Sequence, residues 1–200
     1  MDLSEINFAV LVASLIVAST PLVLAALGEL IVEKSGVLNL GVEGMMIIGA
    51  VTGFIVGVET GSAYIGMMAA AMAGALLSLL FAFIILIMQA NQVASGLALT
   101  IFGLGIAALM GHPYTGIKSP QISTISIPFI SEIPVLGTMF FQHDLIVYLS
   151  LISVLVIWYF LNRMRAGLIL RSVGEDHDVA HSLGCLLYTS DAADDLLCVD

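Results

Sequence analysis

The sequence predicts an all-α bundle of membrane-spanning helices, and three observations carry that prediction. Apolar residues make up 60% of the chain and charged residues 10%, whereas soluble domains carry about 25% charged residues. Apolar runs long enough to cross a bilayer recur five times along the 200 residues. The chain is also rich in Gly (19) and Met (10), as suits membrane helices whose backbones approach closely. The lipid bilayer is therefore the first partner implied. With no basic patch anywhere, nucleic acid is excluded as another.

The spans are expected at Phe8–Leu27, Val37–Val58, Ser62–Met88, Val93–Met110 and Leu145–Leu161. The first is read as a retained span and not a signal peptide, because the start lacks a basic region and the apolar run is long. The second is unusual. Its clean apolar part, Met45–Val58, is too short to cross alone and needs Val37–Gly44, so a short or interrupted helix is expected, with Asn39 and Glu43 near one end. The third and fifth carry no charge. Between the fourth and fifth lies a loop, Gly111–Asp144, whose Pro113, Pro120, Pro128 and Pro134 rule out a long regular helix. Its Ile122, Ile125, Ile127, Phe129 and Ile130 are too apolar for a freely solvated loop and are expected against the membrane surface or the helices. Four of the five basic residues (Lys34, Arg163, Arg165, Arg171) fall on one side if the fifth span ends in the cytoplasm, leaving Lys118 outside. Cytoplasmic loops are enriched in Lys and Arg, so this orientation is expected.

The segment around Glu29, Glu33, Lys34, Asn39 and Glu43 is the least membrane-like part of this region. A charge at mid-bilayer costs about 2.5–3.5 kcal/mol on insertion scales, so the segment is expected to be a loop, a broken helix or the lining of a passage. Three readings stay open: a solvated loop, a solute route lined by Asn39 and Glu43, or contact with a partner subunit. Gln89, Asn91 and Gln92 form a second polar cluster, between the third and fourth spans. Their amides could read polar groups of a sugar or base, or simply cap a tight turn. Gly49, Gly53, Gly57 and Gly61 recur every four residues and would form a flat helix face for a neighbour. The small residues Ala69–Ala75 of the third span are the expected partner.

No metal site is expected from His112, His143, His177 and His181, since His177 and His181 share a spacing of four but lack a third ligand. No phosphate-binding loop of the form GxxxxGK[ST] occurs, and no nucleophile–base constellation lies within the spans. Neither an enzyme nor a bound cofactor is expected.

Three segments together, GELIVEKSGVLNLGVEGMMIIGA at 28–50, NQVASGLALTIFGLG at 91–105 and RAGLILRSVGEDHDVAHSLG at 165–184, closely resemble the permease subunits of bacterial ATP-binding-cassette importers. The branch is that of the ribose, branched-chain amino acid and nucleoside permeases, and within it the nucleoside type is most similar. The resemblance implies a permease that moves a small polar solute inward, a nucleoside first and a ribose-like sugar next. It implies a partner ATPase that binds the ATP, a second permease subunit in a homo- or heterodimer, and an extracytoplasmic substrate-binding lipoprotein. It places Arg171, Gly174, Glu175, Ala180 and Gly184 in the loop that couples to the ATPase. The residues there fit such a role: a break at Gly174–Asp178 and then a short helix with Val179, Ala180 and Leu183 on its apolar face and Gly184 as its cap. An ordinary juxtamembrane turn is the alternative.

The resemblance covers the chain to about Gly184, so residues 1–184 are read as the N-terminal part of the permease domain. The remainder, CLLYTSDAADDLLCVD, resembles translated adapter or cloning sequence, and residues 185–200 are expected to be non-native. That tail holds both cysteines, Cys185 and Cys198, and four of the fifteen acidic residues; without those four the net charge of −10 becomes −6. Two rivals remain: an ion-coupled secondary transporter, for which Glu43 is the candidate relay, and a membrane assembly subunit that moves nothing.

Overall fold

A computed structural model describes residues 8–120, 122, 124–126 and 142–176. Its helices are α1 (Phe8–Lys34), α2 (Val42–Thr60), α3 (Ala63–Ala82), α4 (Gln92–Gly111), α5 (Leu145–Arg163) and α6 (Arg165–Glu175). A π-helical turn, Phe83–Ile87, prolongs α3, and a 3-10 turn, His112–Tyr114, follows α4. Among the described residues five helices are long and apolar enough to cross a membrane, with α3 and its π turn counted as one. The chain is a multi-pass membrane protein.

Two boundaries differ from the sequence expectation. Gly28–Lys34, expected as a loop or break, continues α1 for two further turns. A single glycine interrupts a helix only weakly, and Lys34 stands in the last turn, where the helix dipole favours a cation. Val37–Gly41, expected as the start of the second span, is not helical, and α2 begins at Val42. Within α1, Pro21 withdraws one backbone donor. The hydroxyls of Ser19 and Thr20 both donate to Ile16 C=O in the turn before it, which satisfies these two donors where water is absent.

The helices sort into two groups. α2 packs along α3 and α4, whereas α1 packs on α5 and α6 and touches α2 only lightly. The core of the first group is Met45 and Ile48 of α2, Leu77 and Phe81 of α3, Ile85 of the π turn and Leu99 of α4. Val37 packs against this cluster from the segment before α2. The opposite end of α2 is tied to the turn after α4, where Tyr114 O–H donates to Glu59 Oε1 at 2.7 Å. Ile122 and Pro120 lie in a groove between α2 and α3 beside Gly53, Gly57 and Gly66. Thr124–Ser126 and Gln142–Asp144 pair as a two-stranded antiparallel ladder, Ile125 opposite His143. Residues 127–141, with Ile127, Phe129, Ile130, Pro128 and Pro134, lie outside the described residues.

Glycines set the distance between α2 and α3. A Cβ on Gly49 would lie 3.2 Å from Ala70 C=O, and one on Gly53 2.9 Å from Gly66 C=O. Gly57 faces Gly66 Cα at 3.8 Å. Gly61 does not share this face. It follows the helix in a left-handed conformation (φ 68°), donating to Val58 C=O, with open space where a side chain would stand. Its regular spacing with the other three ends where the helix ends.

Gly66 has no room for any side chain, because its Cβ would strike Gly53 C=O. Gly66→Leu is expected to lower stability by about 1–3 kcal/mol, read as a depressed thermal midpoint in detergent. Gly74→Ala on the same helix, where nothing lies within 4 Å, should shift stability by less than about 0.5 kcal/mol. Equal midpoints for the two variants would contradict this packing.

Candidate functional site

α2 begins deep inside the bundle, and the contacts of its first residues fix how deep. A Cβ on Gly44 would lie 2.7 Å from Thr100 Cα, and one on Gly103 would lie 2.8 Å from Gly44 Cα. Thr100 and Gly103 stand eight and eleven residues into α4, roughly 12–16 Å along its axis at about 1.5 Å per residue. The first turn of α2 therefore lies against the middle of α4 (Gln92–Gly111). The chain reaches that point as an extended segment lying on α4.

The segment's backbone is bonded at one end to the last turns of α1, where Val37 N–H donates to Val32 C=O at 3.3 Å, and beyond it to side chains of α1, of α4 and of the segment itself. Leu38 N–H donates to Gln92 Oε1 at 2.8 Å and Asn39 N–H to Glu29 Oε1 at 3.2 Å. Gly41 N–H donates to Asn39 Oδ1 at 2.9 Å, and Thr100 Oγ1 donates to Leu40 C=O at 2.9 Å. Gly96 leaves the space the segment occupies: its Cβ would stand 2.9 Å from Leu40 N. Gly96, Thr100 and Gly103, at spacings of four and three, thus form one face of α4. Asn39 is 7% exposed, so the amide at the turn into α2 is buried.

Between α1 and this start of α2 lies a cleft of about 660 Å³. Leu22, Ala25, Ala26 and Glu29 of α1 form one wall; Asn39, Leu40, Val42, Glu43, Met46 and Ile47 form the other. A second cleft, about 790 Å³, opens between α1, α2 and α3 and shares Ala25, Glu29, Val42 and Met46 with the first. Glu29 therefore stands where both meet. Neither lining contains a basic residue. Glu43 occupies the first turn of α2, where the helix dipole favours a negative charge. No side chain caps that turn. Glu29 Oε2 is buried with no hydrogen-bond partner among the described residues.

Of the residues expected to line a solute route, the structure brings Asn39 and Glu43 together and adds Glu29. It sets Gln89, Asn91 and Gln92 apart from both clefts. Asn91 caps α4, its Oδ1 accepting from Ala94 N–H at 3.0 Å. Gln92 holds Leu38, and Gln89 adopts a left-handed conformation (φ 50°) that ends the π turn. The glycines of α4 and Thr100 were not singled out by sequence reasoning, although a lone Thr between two glycines in an apolar run is a legible signal. Among the described residues no group of His, Cys, Asp or Glu is placed to hold a metal.

The segment expected to couple to an ATPase is built differently from expectation. α6 runs from Arg165 through Glu175 and Asp176 is extended, so the break expected within Gly174–Asp178 comes after Glu175 and Gly174 itself is helical. Gly174 is tolerated in its last turn because the turn after α1 passes directly over it: a Cβ would strike Lys34 C=O. Arg171 is half-buried, its Nε without a partner among the described residues. Glu175 is exposed at the helix C-terminus, a position the dipole disfavours for an acid, so its placement does not serve helix stability. Ala180 and Gly184, with Val179, Leu183 and the tail 185–200, lie outside the described residues.

Comparison with known proteins agrees with this architecture. The family described as branched-chain amino acid transport system / permease component matches residues 11–189. A putative glucose ABC transporter permease protein of Haloferax volcanii, TsgC13, is 39% identical over 171 residues, covering 84% of this chain and 52% of that protein. The guanosine ABC transporter permease protein NupQ of Bacillus subtilis is 36% identical over 203 residues, covering 94% and 62%. The nucleoside ABC transporter permease protein NupC of Lactococcus lactis subsp. cremoris is 33% identical over 190 residues, covering 90% and 60%. The chain thus spans between half and two thirds of the length of these curated relatives. No solved structure matches it. With the family pattern running through every described helix, the chain belongs to the branched-chain amino acid transport system / permease component family of ABC transporter permeases.

Proposed function

We propose that this chain is the N-terminal part of a permease subunit of an ATP-binding-cassette importer, carrying a small polar solute inward. A nucleoside is the first choice of cargo, a ribose-like sugar the second and a branched-chain amino acid the third. The structural observation that carries the reading is the start of α2 against the middle of α4, which presents Asn39 and Glu43 to a cleft of about 660 Å³. That volume lies within the roughly 300–1,000 Å³ typical of small-molecule sites. Interrupted helices of this kind mark solute sites in transporters. The acidic lining, with no basic side chain, suits a neutral solute rich in hydroxyl or N–H donors better than an anion. The names of the guanosine and nucleoside relatives support the first choice, and that of the glucose relative the second.

On this reading ATP is bound by a partner ATPase, the permease pairs with a second permease subunit, and a lipoprotein outside the membrane delivers the solute. The segment 165–184, with Arg171, Gly174, Glu175, Ala180 and Gly184, receives the ATPase. The exposed apolar side chains Leu168 and Ile169 of α6 support this, as does an exposed acid at a helix end that gains nothing from it.

One observation speaks for the ion-coupled rival. Glu43 lies in the first turn of α2 on the wall of the cleft, and a carboxylate lining a passage is what a proton relay uses. The energy source separates the two. The full-length permease with its ATPase and binding protein in proteoliposomes should import guanosine only with ATP, and collapsing the proton and sodium gradients should leave the rate unchanged. Import that follows an ion gradient without ATP would contradict the proposal. Glu175→Lys in the same complex should cut uptake by about tenfold or more, as expected for a reversed charge at a contact worth 1.5–3 kcal/mol, while the permease still inserts. Wild-type uptake by that variant would remove Glu175 from the coupling surface.

A further inference from the structure

We infer that Gly174, Gly36 and Glu29 form a joint that delivers movement of α6 to the start of α2, making all three positioning residues for solute passage; this rests on the importer reading above. The argument begins with α6 itself. Gly167 and Gly174 are seven residues apart and share one face of the helix. At Gly167 that face lies on the last turns of α5, where a Cβ would strike Phe160 C=O and stand 2.8 Å from Leu161 Cα. At Gly174 it lies on the turn after α1, where a Cβ would strike Lys34 C=O and stand 2.8 Å from Gly36 N. The short helix thus lies across the ends of two spans and meets each backbone to backbone.

Gly36 completes the second contact. Its φ of +85° is one that side chains rarely adopt, and its Cβ would stand 3.2 Å from Gly174 Cα. With no side chain on either residue, no rotamer change can absorb a displacement, and a close-packed contact transmits it. Three residues further on, Asn39 N–H is held by Glu29 Oε1 at 3.2 Å, and Asn39 Oδ1 holds Gly41 N–H, directly before α2. On the other side Gln92 and Thr100 hold Leu38 and Leu40 to α4. A push on Gly36 is therefore carried along a segment bonded at every step to the first turn of α2, where Glu43 faces the cleft. The route through α5 is poorer, because α5 packs on α1 and not along α2.

The test uses the full-length permease reconstituted with its ATPase and binding protein, with guanosine and glucose as probes. The readout is solute imported per ATP hydrolysed, a ratio that a loss of folded protein does not move. Glu29→Ala should lower the ratio about tenfold, the effect of losing a charge-assisted contact, and Gly174→Ala by about as much, because its Cβ forces the backbone contact with Lys34 and Gly36 apart. Glu29→Gln keeps the acceptor for Asn39 N–H and should recover at least about half of what Glu29→Ala loses. Either alanine variant assembling normally with a wild-type ratio overturns the joint, as does a Glu29→Gln as defective as Glu29→Ala. Should Gly174→Ala fail to assemble, Glu29→Ala decides by the same criterion. A wild-type complex that imports neither probe with ATP overturns the importer reading and the joint with it, whereas wild-type import with an unaltered Glu29→Ala removes the joint alone.

Discussion

Non-helical backbone inside a membrane must find its hydrogen bonds within the protein, and the stretch Val37–Gly41 depends on four of them. An unmet amide in an apolar medium costs about 2–7 kcal/mol by transfer measurements, so the segment holds its depth only because Gln92, Glu29, Asn39 and Thr100 meet it. Those four residues come from α1, the segment itself and the length of α4. The relation of α1 to α4 is therefore fixed through the segment between them, although α1 barely touches α2. The cleft follows from the same constraint. A helix that starts against the middle of its neighbour leaves the space beneath its first turn to be walled by whatever stands opposite, and here that is the polar end of α1.

Close approach makes this possible. Gly44 against Thr100 and Gly103, Gly96 against Leu40, and Gly53 against Gly66 are contacts in which a methyl group has no place. Without a hydrophobic driving force between helices in lipid, association rests on such packing and on hydrogen bonds between helices. α4 uses both on one face, with Thr100 bonding between two glycines that pack. The joint proposed at Gly36 and Gly174 applies the same device at the membrane surface, where two helices and a turn meet with no side chain between them.

Much of this was legible in the sequence. Five apolar runs set the number and order of the spans, and the 49–53–57 glycine spacing identified the face of α2 that α3 covers. The polar stretch after Gly28 was recognisable as unfit for lipid, and Asn39 and Glu43 do face one cleft. The boundaries there were not legible. Gly28 and three charged side chains read as a break, yet the helix continues because one glycine interrupts it only weakly and Lys34 sits in its last turn, where the dipole favours a cation. Val37–Gly41 is apolar enough to read as helix, and what makes it extended is a tertiary feature, the bonds from Gln92, Glu29 and Thr100. Gly174 likewise reads as a breaker, since nothing local announces the backbone that passes over it.

The central claim is that the first turn of α2 lies against the middle of α4, on the wall of a cleft open to water. Cysteine accessibility tests it most directly, in a cysteine-free background of the full-length permease. Glu43→Cys should react with a membrane-impermeant thiol reagent applied from the side that carries Lys34 and Arg163, at a rate comparable to Ser35→Cys in the surface turn. Ile101→Cys, next to Thr100 in α4 but on its outward face and 71% exposed where lipid would lie, should not react. A Glu43→Cys as inert as Ile101→Cys, with Ser35→Cys labelled, would contradict the account.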